Sequence, residues 1–313
     1  MSADAPQPAG KVPAVPGELG NAGSATSTPA DVTIVIPAWG PHVNYVPDAV
    51  ASLQAQDGPS IDLVVVDNCS DVPVPPLPAQ VRVVRTPERL RVGAARNYGL
   101  DQARAPYVMF WDADDLMLPG ALARMMEVLR SDERNVAVTM DSLRWTPETG
   151  EGDRWPWPRS VMYRLSAHPR LFATIAQVYC PFTTTGPALM PTAVVRDAGG
   201  FAADIAFFED WALAASLTVR GRIVMLRENG RLYRIHDESL TLGHLGHPDE
   251  GQWLLGLRRR ARRDHARPLW LKALLPLIRV HHAYRERMGK RPGAGVGFYE
   301  SALEDMTSAP TKT

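Results

Sequence analysis

The chain has 313 residues, of which 45% are hydrophobic and 22% charged, so it can bury the core of one large domain or two small ones. Lysine plus arginine and aspartate plus glutamate number 34 each, and this balance predicts no general attraction to nucleic acid. Cys69 and Cys180 are the only cysteines, too few for a disulfide framework or a cysteine-based zinc site, which favours a reducing, cytoplasmic setting.

The first 30 residues are rich in proline, alanine, glycine and serine and lack the basic and apolar regions of a signal peptide. We therefore expect a disordered tail at residues 1–30. No run of about 18 apolar residues occurs in the chain, so a membrane-spanning helix is not expected.

Short apolar runs alternate with amphipathic segments from residue 31 onwards. The pattern predicts strands at VTIVIP, DLVVVD, VRVVRT and YVMFWD, and helices at PDAVASLQAQ, VGAARNYGLDQAR and PGALARMMEVLRSD. This alternation indicates an α/β fold, with a mostly parallel, Rossmann-like sheet that is flanked by helices. In such sheets ligands bind beyond the carboxyl ends of the strands.

Three aspartates, Asp112, Asp114 and Asp115, directly follow the apolar run YVMFW. Packed carboxylates repel one another by several kcal/mol at low dielectric unless a cation or a proton intervenes, or unless they point into water. Mg²⁺ and Mn²⁺ prefer carboxylate oxygens and need only one or two of them from the protein. The segment therefore predicts a divalent-cation site, with Asp115 alternatively capping the helix that follows.

Five segments follow one another along the chain: VTIVIPAW, LVVVDNCSD, VGAARNYGLDQARAPYVMFWDADD, DAGGFAADIAFFEDWALAASLTVRGRIVML and YRIH. Their order and spacing resemble those of the family 2 glycosyltransferases with the GT-A fold. The resemblance implies a GT-A domain at residues 31–245. It also implies an inverting enzyme that moves a sugar from a nucleotide diphosphate sugar, with a UDP-sugar expected, to a hydroxyl of a glycan, a lipid-linked or a small-molecule acceptor.

The same resemblance assigns the metal ligands and the base. Asp114 and His236 would hold Mn²⁺ or Mg²⁺, and Asp112 would lie near the ribose or the water shell of the metal. Asp210 would be the general base, and Glu209 would orient the acceptor or hold a loop. Simpler interpretations remain, because His236 could face solvent and both acids could cap the helix that follows them.

The donor would be bound by residues from three segments. The resemblance assigns this role to Pro37, Ala38, Trp39, Asp67, Arg96 and Asn97. Asp67 would read the uracil or ribose edge, although it could also be a simple turn former. The chain departs from the family pattern in the first loop, where Gly40 and Pro41 replace the usual asparagine and acidic residue, and at DNCSD.

The acceptor side is less defined by the sequence. Trp211 and Thr185 are the candidates, and three further tryptophans could stack on sugar faces or fill the core. These are Trp145, Trp155 and Trp157.

The segment 246–300 reads as a basic amphipathic helical extension, followed by a tail at 301–313. Its helices carry a cluster of arginines from Arg258 to Arg267. They could pack on the main domain with a solvated basic face, rest peripherally on anionic lipid at the inner face of the membrane, or form a dimer contact.

Two other functions deserve comparison with sugar transfer. A sugar-1-phosphate nucleotidylyltransferase would need a glycine-rich phosphate loop with a basic residue directly after the first strand, and PAWGPH is not such a loop. A catalytically silent sugar- or nucleotide-binding module would not need Asp112, Asp114, Asp210 and His236 together.

Overall fold

The computed structural model of the protein describes residues 29–146, 153–154, 160–176, 187–205 and 209–236. The expectations for the tail, for the extension at 246–300, for the segment 301–313 and for Thr185, Trp155 and Trp157 fall outside these residues, apart from positions 29 and 30 of the tail. Within the described residues, no helix combines the length and the apolar character needed to cross a bilayer.

The first half of the sheet is wholly parallel. Its strands are β1 (Val32–Ala38), β2 (Ile61–Asp67), β3 (Arg82–Arg85) and β4 (Tyr107–Phe110), in the spatial order β3-β2-β1-β4. A 3₁₀ helix (Gly40–Tyr45) and helix α1 (Val46–Gln54) connect β1 to β2, and α2 (Val92–Asp101) connects β3 to β4. These elements confirm the predicted strands and helices. Every residue of β1 is buried, as a central strand covered on both faces requires.

The second half of the sheet is mixed. Its strands are β5 (Leu116–Met117), β6 (Asn135–Trp145), β7 (Asp153–Arg154), β8 (Leu189–Pro191) and β9 (Arg222–Arg234). The helices in this part of the chain are α3 (Ala121–Arg130), α4 (Ser160–Ser166), α5 (Pro169–Ala176), α6 (Thr192–Asp197) and α7 (Glu209–Thr218). The order continues from β4 through β8, β6 and β9 to β5, and β7 pairs with β6. Only β6 and β9 pair in parallel here. The predicted α/β sheet with flanking helices is thus confirmed, and antiparallel strands complete it.

Two apolar layers cover the faces of the sheet. One contains the buried faces of α1 and α3, including Leu53 and Leu122, packed on Ile34 and Ile36 of β1. The other packs α2 and α7 against the opposite face through Leu100 and Leu217, among others. Both faces of the sheet are therefore covered, and the candidate site lies at the strand ends.

Candidate functional site

The carboxyl ends of β1, β2 and β4 lie at one edge of the sheet because these strands are parallel neighbours. Trp39 follows β1, Asp67 ends β2, and the aspartate segment 112–115 follows β4. The last strand, β9, runs antiparallel to β5 and carries the chain to His236 at the same edge. The predicted convergence of strand ends is therefore present.

Asp114 is the centre of a cluster with two histidines. Its Oδ2 atom lies 2.8 Å from Nε2 of His236 and 3.9 Å from Nδ1 of His42. The three candidate ligand atoms all lie within 4.8 Å of one another. The structure brings Asp114 and His236 together as predicted, and it adds His42, which the sequence interpretation missed. The feature of the sequence that could have indicated His42 is its position, three residues after Trp39 in the loop that follows β1.

The cluster has the chemistry of a cation site. Burial disfavours the charged form of Asp114, but the hydrogen bond with His236 and the neighbouring His42 outweigh burial and lower the pKa of Asp114 below its usual value. Asp114 is thus a carboxylate at neutral pH. One carboxylate and two imidazoles form a donor set that suits divalent transition metals.

Asp115 has a different role from its neighbours. It is fully buried, its Oδ2 accepts a hydrogen bond from Nη1 of Arg231 at 2.8 Å, and its Oδ1 accepts one from the backbone N–H of Arg234 at 3.1 Å. Burial raises the pKa of Asp115, and the charge of Arg231 opposes that rise. The helix-cap interpretation of Asp115 is wrong, because β5 separates it from α3, whose N-cap is Gly120.

Arg234 supports the aspartate segment from β9. Its Nε donates to the backbone carbonyl of Asp114 at 2.9 Å. Its guanidinium carbon lies 4.3 Å from the ring centroid of Trp145 and 4.7 Å from that of Tyr45. Trp145, one of the candidate sugar-stacking residues, therefore contacts an arginine. The sequence interpretation did not assign Arg231 or Arg234, although Arg234 stands two residues before His236 in YRIH.

Arg96 connects the aspartate segment to the start of α7. Its Nη2 donates to Oδ1 of Asp112 at 2.8 Å, and its Nη1 donates to Oε1 of Glu209 at 2.6 Å. Arg96 and Glu209 are both buried. Their partly exposed neighbour Asp210 accepts a hydrogen bond from the backbone N–H of Trp211 at 2.6 Å. Glu209 is therefore held by an arginine, whereas Asp210 retains a surface open to solvent.

The pH dependence of the free energy of unfolding tests the environment of Glu209. Burial and the charge of Asp210 raise the pKa of Glu209 from 4.5 to about 7, although Arg96 opposes the rise. Between about pH 4.5 and pH 7, the carboxyl group of Glu209 therefore stays protonated in the folded protein but is ionised in the unfolded chain. The free energy of unfolding should fall as pH rises through this window, by about 3 kcal/mol at most.

We expect Glu209→Gln to remove this part of the pH dependence. Urea unfolding of both proteins at pH 5 and pH 7.5 measures it, with the exposed Glu133→Gln as the matched control. Equal pH dependence in Glu209→Gln and the unchanged protein would show that Glu209 is ionised throughout.

The remaining predicted donor residues lie around the same edge. Pro37 and Ala38 are buried within β1, and the donor contact predicted for them stays a prediction. Trp39 lies beside Arg89, whose guanidinium carbon is 4.8 Å from the ring centroid. Asp67 pairs with Arg85 at 2.5 Å and accepts the backbone N–H of Ser70 at 2.8 Å, which also makes it a turn former.

Asn97 and Trp211 make structural contacts. The side chain of Asn97 donates to the backbone carbonyl of Phe201 at 2.9 Å and accepts its N–H at 2.8 Å. The indole of Trp211 is buried and donates to the carbonyl of Ala176 at 2.6 Å. The donor contact predicted for Asn97 and the acceptor contact predicted for Trp211 stay predictions.

The mixed sheet with helices on both faces has the architecture of the GT-A fold, and known structures share this fold. The crystal structure of S. aureus TarS 1–349 in complex with UDP-GlcNAc has a TM-score of 0.62 and 16% identity, over 88% of this chain and 80% of that chain. The mannosyltransferase PcManGT from Pyrobaculum calidifontis, in complex with GDP-Man and Mn²⁺, has a TM-score of 0.57 and 18% identity, over 91% of this chain and 77% of that one. At such identities the similarity shows the fold.

Sequence comparisons find similarity to known proteins in the first part of the chain. Residues 33–183 match the model of the glycosyl transferase family 2. The succinoglycan biosynthesis protein ExoO of Rhizobium meliloti (strain 1021) is 34% identical over 118 residues, which are 36% of this chain and 33% of that protein. Residues 33–183 are therefore similar to family 2 glycosyltransferases, and the match to ExoO spans about a third of the length of that relative.

Proposed function

We propose that the protein transfers a sugar from a nucleotide diphosphate sugar to a hydroxyl acceptor, with inversion at the anomeric carbon. The observation that carries the proposal is the pairing of Asp114 with His236, 2.8 Å apart at the carboxyl edge of the sheet. The similarity to family 2 glycosyltransferases supports the reaction class. The structural neighbours described with UDP-GlcNAc and GDP-Man support a nucleotide sugar as donor, and we propose a UDP-sugar.

Asp114 and His236 would hold a divalent cation, Mn²⁺ or Mg²⁺. When bound, such a cation stabilises the negative charge that develops on the departing nucleoside diphosphate. Another residue near the site also reduces the electrostatic repulsion of a negatively charged donor. Arg96 pairs with both Asp112 and Glu209 and offsets part of their negative charge, so these acids repel an anionic donor less than two unpaired carboxylates would.

Asp210 would remove the proton of the acceptor hydroxyl as the new bond forms. Its partial exposure, next to a neighbour that Arg96 holds, makes it the more accessible carboxylate of the pair. Glu209 would instead fix the start of α7 relative to Asp112. The two acids therefore have separate tasks, one in proton transfer and one in positioning.

The nucleoside would lie between the ends of β1 and β2. Trp39 offers a flat ring there, and Asp67 with Arg85 offers an acceptor and a donor for the edge of a base. Arg96 and Asn97 would support this region from α2. We assign no sugar acceptor, and Thr185 stays a prediction for that side. Contact of residues 246–300 with a membrane also stays a prediction, which binding to anionic vesicles would test.

Donor hydrolysis in the absence of an acceptor tests this function. We expect slow release of UDP from at least one UDP-sugar when Mn²⁺ is present, and much less release from GDP- and dTDP-sugars. Addition of EDTA should abolish the release. Failure to hydrolyse any nucleotide sugar, by a protein whose thermal melt shows it to be folded, would contradict the proposal. Release of GDP or dTDP instead would contradict only the proposal that the nucleobase of the donor is uracil.

A further inference from the structure

We propose that His42 is a third protein ligand of the metal, and that it lets the site bind Mn²⁺ without a nucleotide and in preference to Mg²⁺. The inference rests on the function proposed above, because it concerns the same metal. It assigns a new role to a residue of the first loop, where this chain departs from the family pattern through Gly40 and Pro41.

The distances allow one cation to contact all three side chains. Asp114 Oδ2 lies 2.8 Å from His236 Nε2 and 3.9 Å from His42 Nδ1, and no two of the three ligand atoms are more than 4.8 Å apart. Ligand atoms around an octahedral cation at roughly 2.1 Å lie about 3.0 Å apart when adjacent and about 4.2 Å apart when opposite. Small side-chain rotations therefore suffice to complete the set.

The ring of His42 is held in position before any metal binds. Gly40, with φ of 50°, takes the left-handed conformation that favours glycine, and it begins the 3₁₀ helix that carries His42. The imidazole packs against Trp39 and His236, with ring centroids 5.3 and 5.4 Å away, and its side chain is only 12% exposed. A ligand that is already ordered loses little entropy on binding.

The chemical nature of the three metal ligands explains the expected preference for Mn²⁺ over Mg²⁺. Mg²⁺ prefers oxygen ligands, loses its waters reluctantly and is usually bound through one or two carboxylates together with substrate phosphates. A site with two imidazoles and one carboxylate instead favours first-row transition metals. Such a site also needs fewer ligands from the diphosphate. Metal binding should therefore precede nucleotide binding here, and Mg²⁺ should be a poor substitute.

The test is titration of the full-length, nucleotide-free protein with Mn²⁺, followed by electron paramagnetic resonance. We expect one bound Mn²⁺ with electron spin-echo modulations from two imidazole nitrogens, and no displacement by a tenfold excess of Mg²⁺. His42→Phe keeps an aromatic ring but lacks the ligand nitrogen. Because it removes a direct ligand, it should weaken Mn²⁺ binding by more than about 100-fold and leave one coordinated imidazole. The exposed histidine variant His168→Ala is the matched control and should behave like the unchanged protein.

Several results would overturn the inference. They are unchanged Mn²⁺ affinity in a folded His42→Phe protein, a single imidazole signal in the unchanged protein, and equal affinity for Mg²⁺ and Mn²⁺. Failure of the proposed function is a different outcome. Mn²⁺ binding that depends on His42, without hydrolysis of any nucleotide sugar, would refute only the sugar transfer. Mn²⁺-dependent hydrolysis, with His42→Phe binding Mn²⁺ normally, would refute only the role of His42.

Discussion

Asp210→Asn is expected to lower kcat by about 10²- to 10⁴-fold, the usual effect of removing a general base, with little change in the Kd for the nucleotide sugar. The variant keeps the size of the side chain and can still accept the hydrogen bond from the N–H of Trp211, but it cannot accept a proton at neutral pH. The donor would lie toward Trp39 and Asp114, so its binding should survive. Steady-state turnover and calorimetry of the donor measure the two quantities.

Two variants serve as controls for Asp210→Asn. Glu209→Gln changes the neighbouring acid, which Arg96 holds, and should retain far more turnover. Asp101→Asn changes an exposed acid at the end of α2 and should have no effect. If Asp210 only caps α7, the asparagine variant will instead lose about 1 kcal/mol of stability or less and keep most of its activity. Thermal melts recorded beside the turnover measurements distinguish these two results.

Asp114→Ala is expected to abolish detectable transfer and most of the metal-dependent binding of nucleotide. Oδ2 of Asp114 lies near both His42 and His236, so its removal leaves the two imidazoles without this carboxylate. Loss of an outer-shell partner of a metal ligand costs about 10- to 100-fold in affinity, and loss of a direct ligand should cost more than 100-fold.

Calorimetric titration of nucleotide in the presence and absence of Mn²⁺ measures this effect. Asp57→Ala removes an exposed acid elsewhere on the surface and should bind metal and nucleotide normally. Metal-dependent nucleotide binding that persists in a folded Asp114→Ala protein would exclude Asp114 as a ligand. The neighbour Asp115 is a poor control, because it is fully buried beside Arg231 and its loss should disturb folding itself.

The local pattern of residues was sufficient for the first half of the fold. Strands β1, β2 and β4 are short, nearly continuous apolar runs, and helices α1 and α3 are amphipathic, so the predicted positions of the elements in this half are confirmed. The strands of the second half could not be assigned as well. β5 has two residues and β8 has three, which is too short for any periodicity to be read, and their pairing depends on segments far away in the chain.

The sequence by itself determined which acids follow the ends of the parallel strands. Parallel strands place their carboxyl ends at one edge, so Asp67, which ends β2, and Asp114, which follows β4, are expected at the same edge of the sheet. Resemblance to a family added His236. In the structure, Asp114 and His236 lie in contact across 122 positions of the chain.

Only the tertiary structure decided what each charge contacts. Asp115 looked like a helix cap, yet it is buried against Arg231, 116 residues later in the chain, because β9 pairs with β5 and carries that arginine beneath the aspartate segment. Arg96 likewise contacts Asp112, 16 positions later in the chain, and Glu209, 113 positions later. The energy of a charge in a protein depends on its burial and on partners within a few ångströms. Local sequence specifies the strand that carries a charged residue, whereas the packing of distant strands and helices determines its partner.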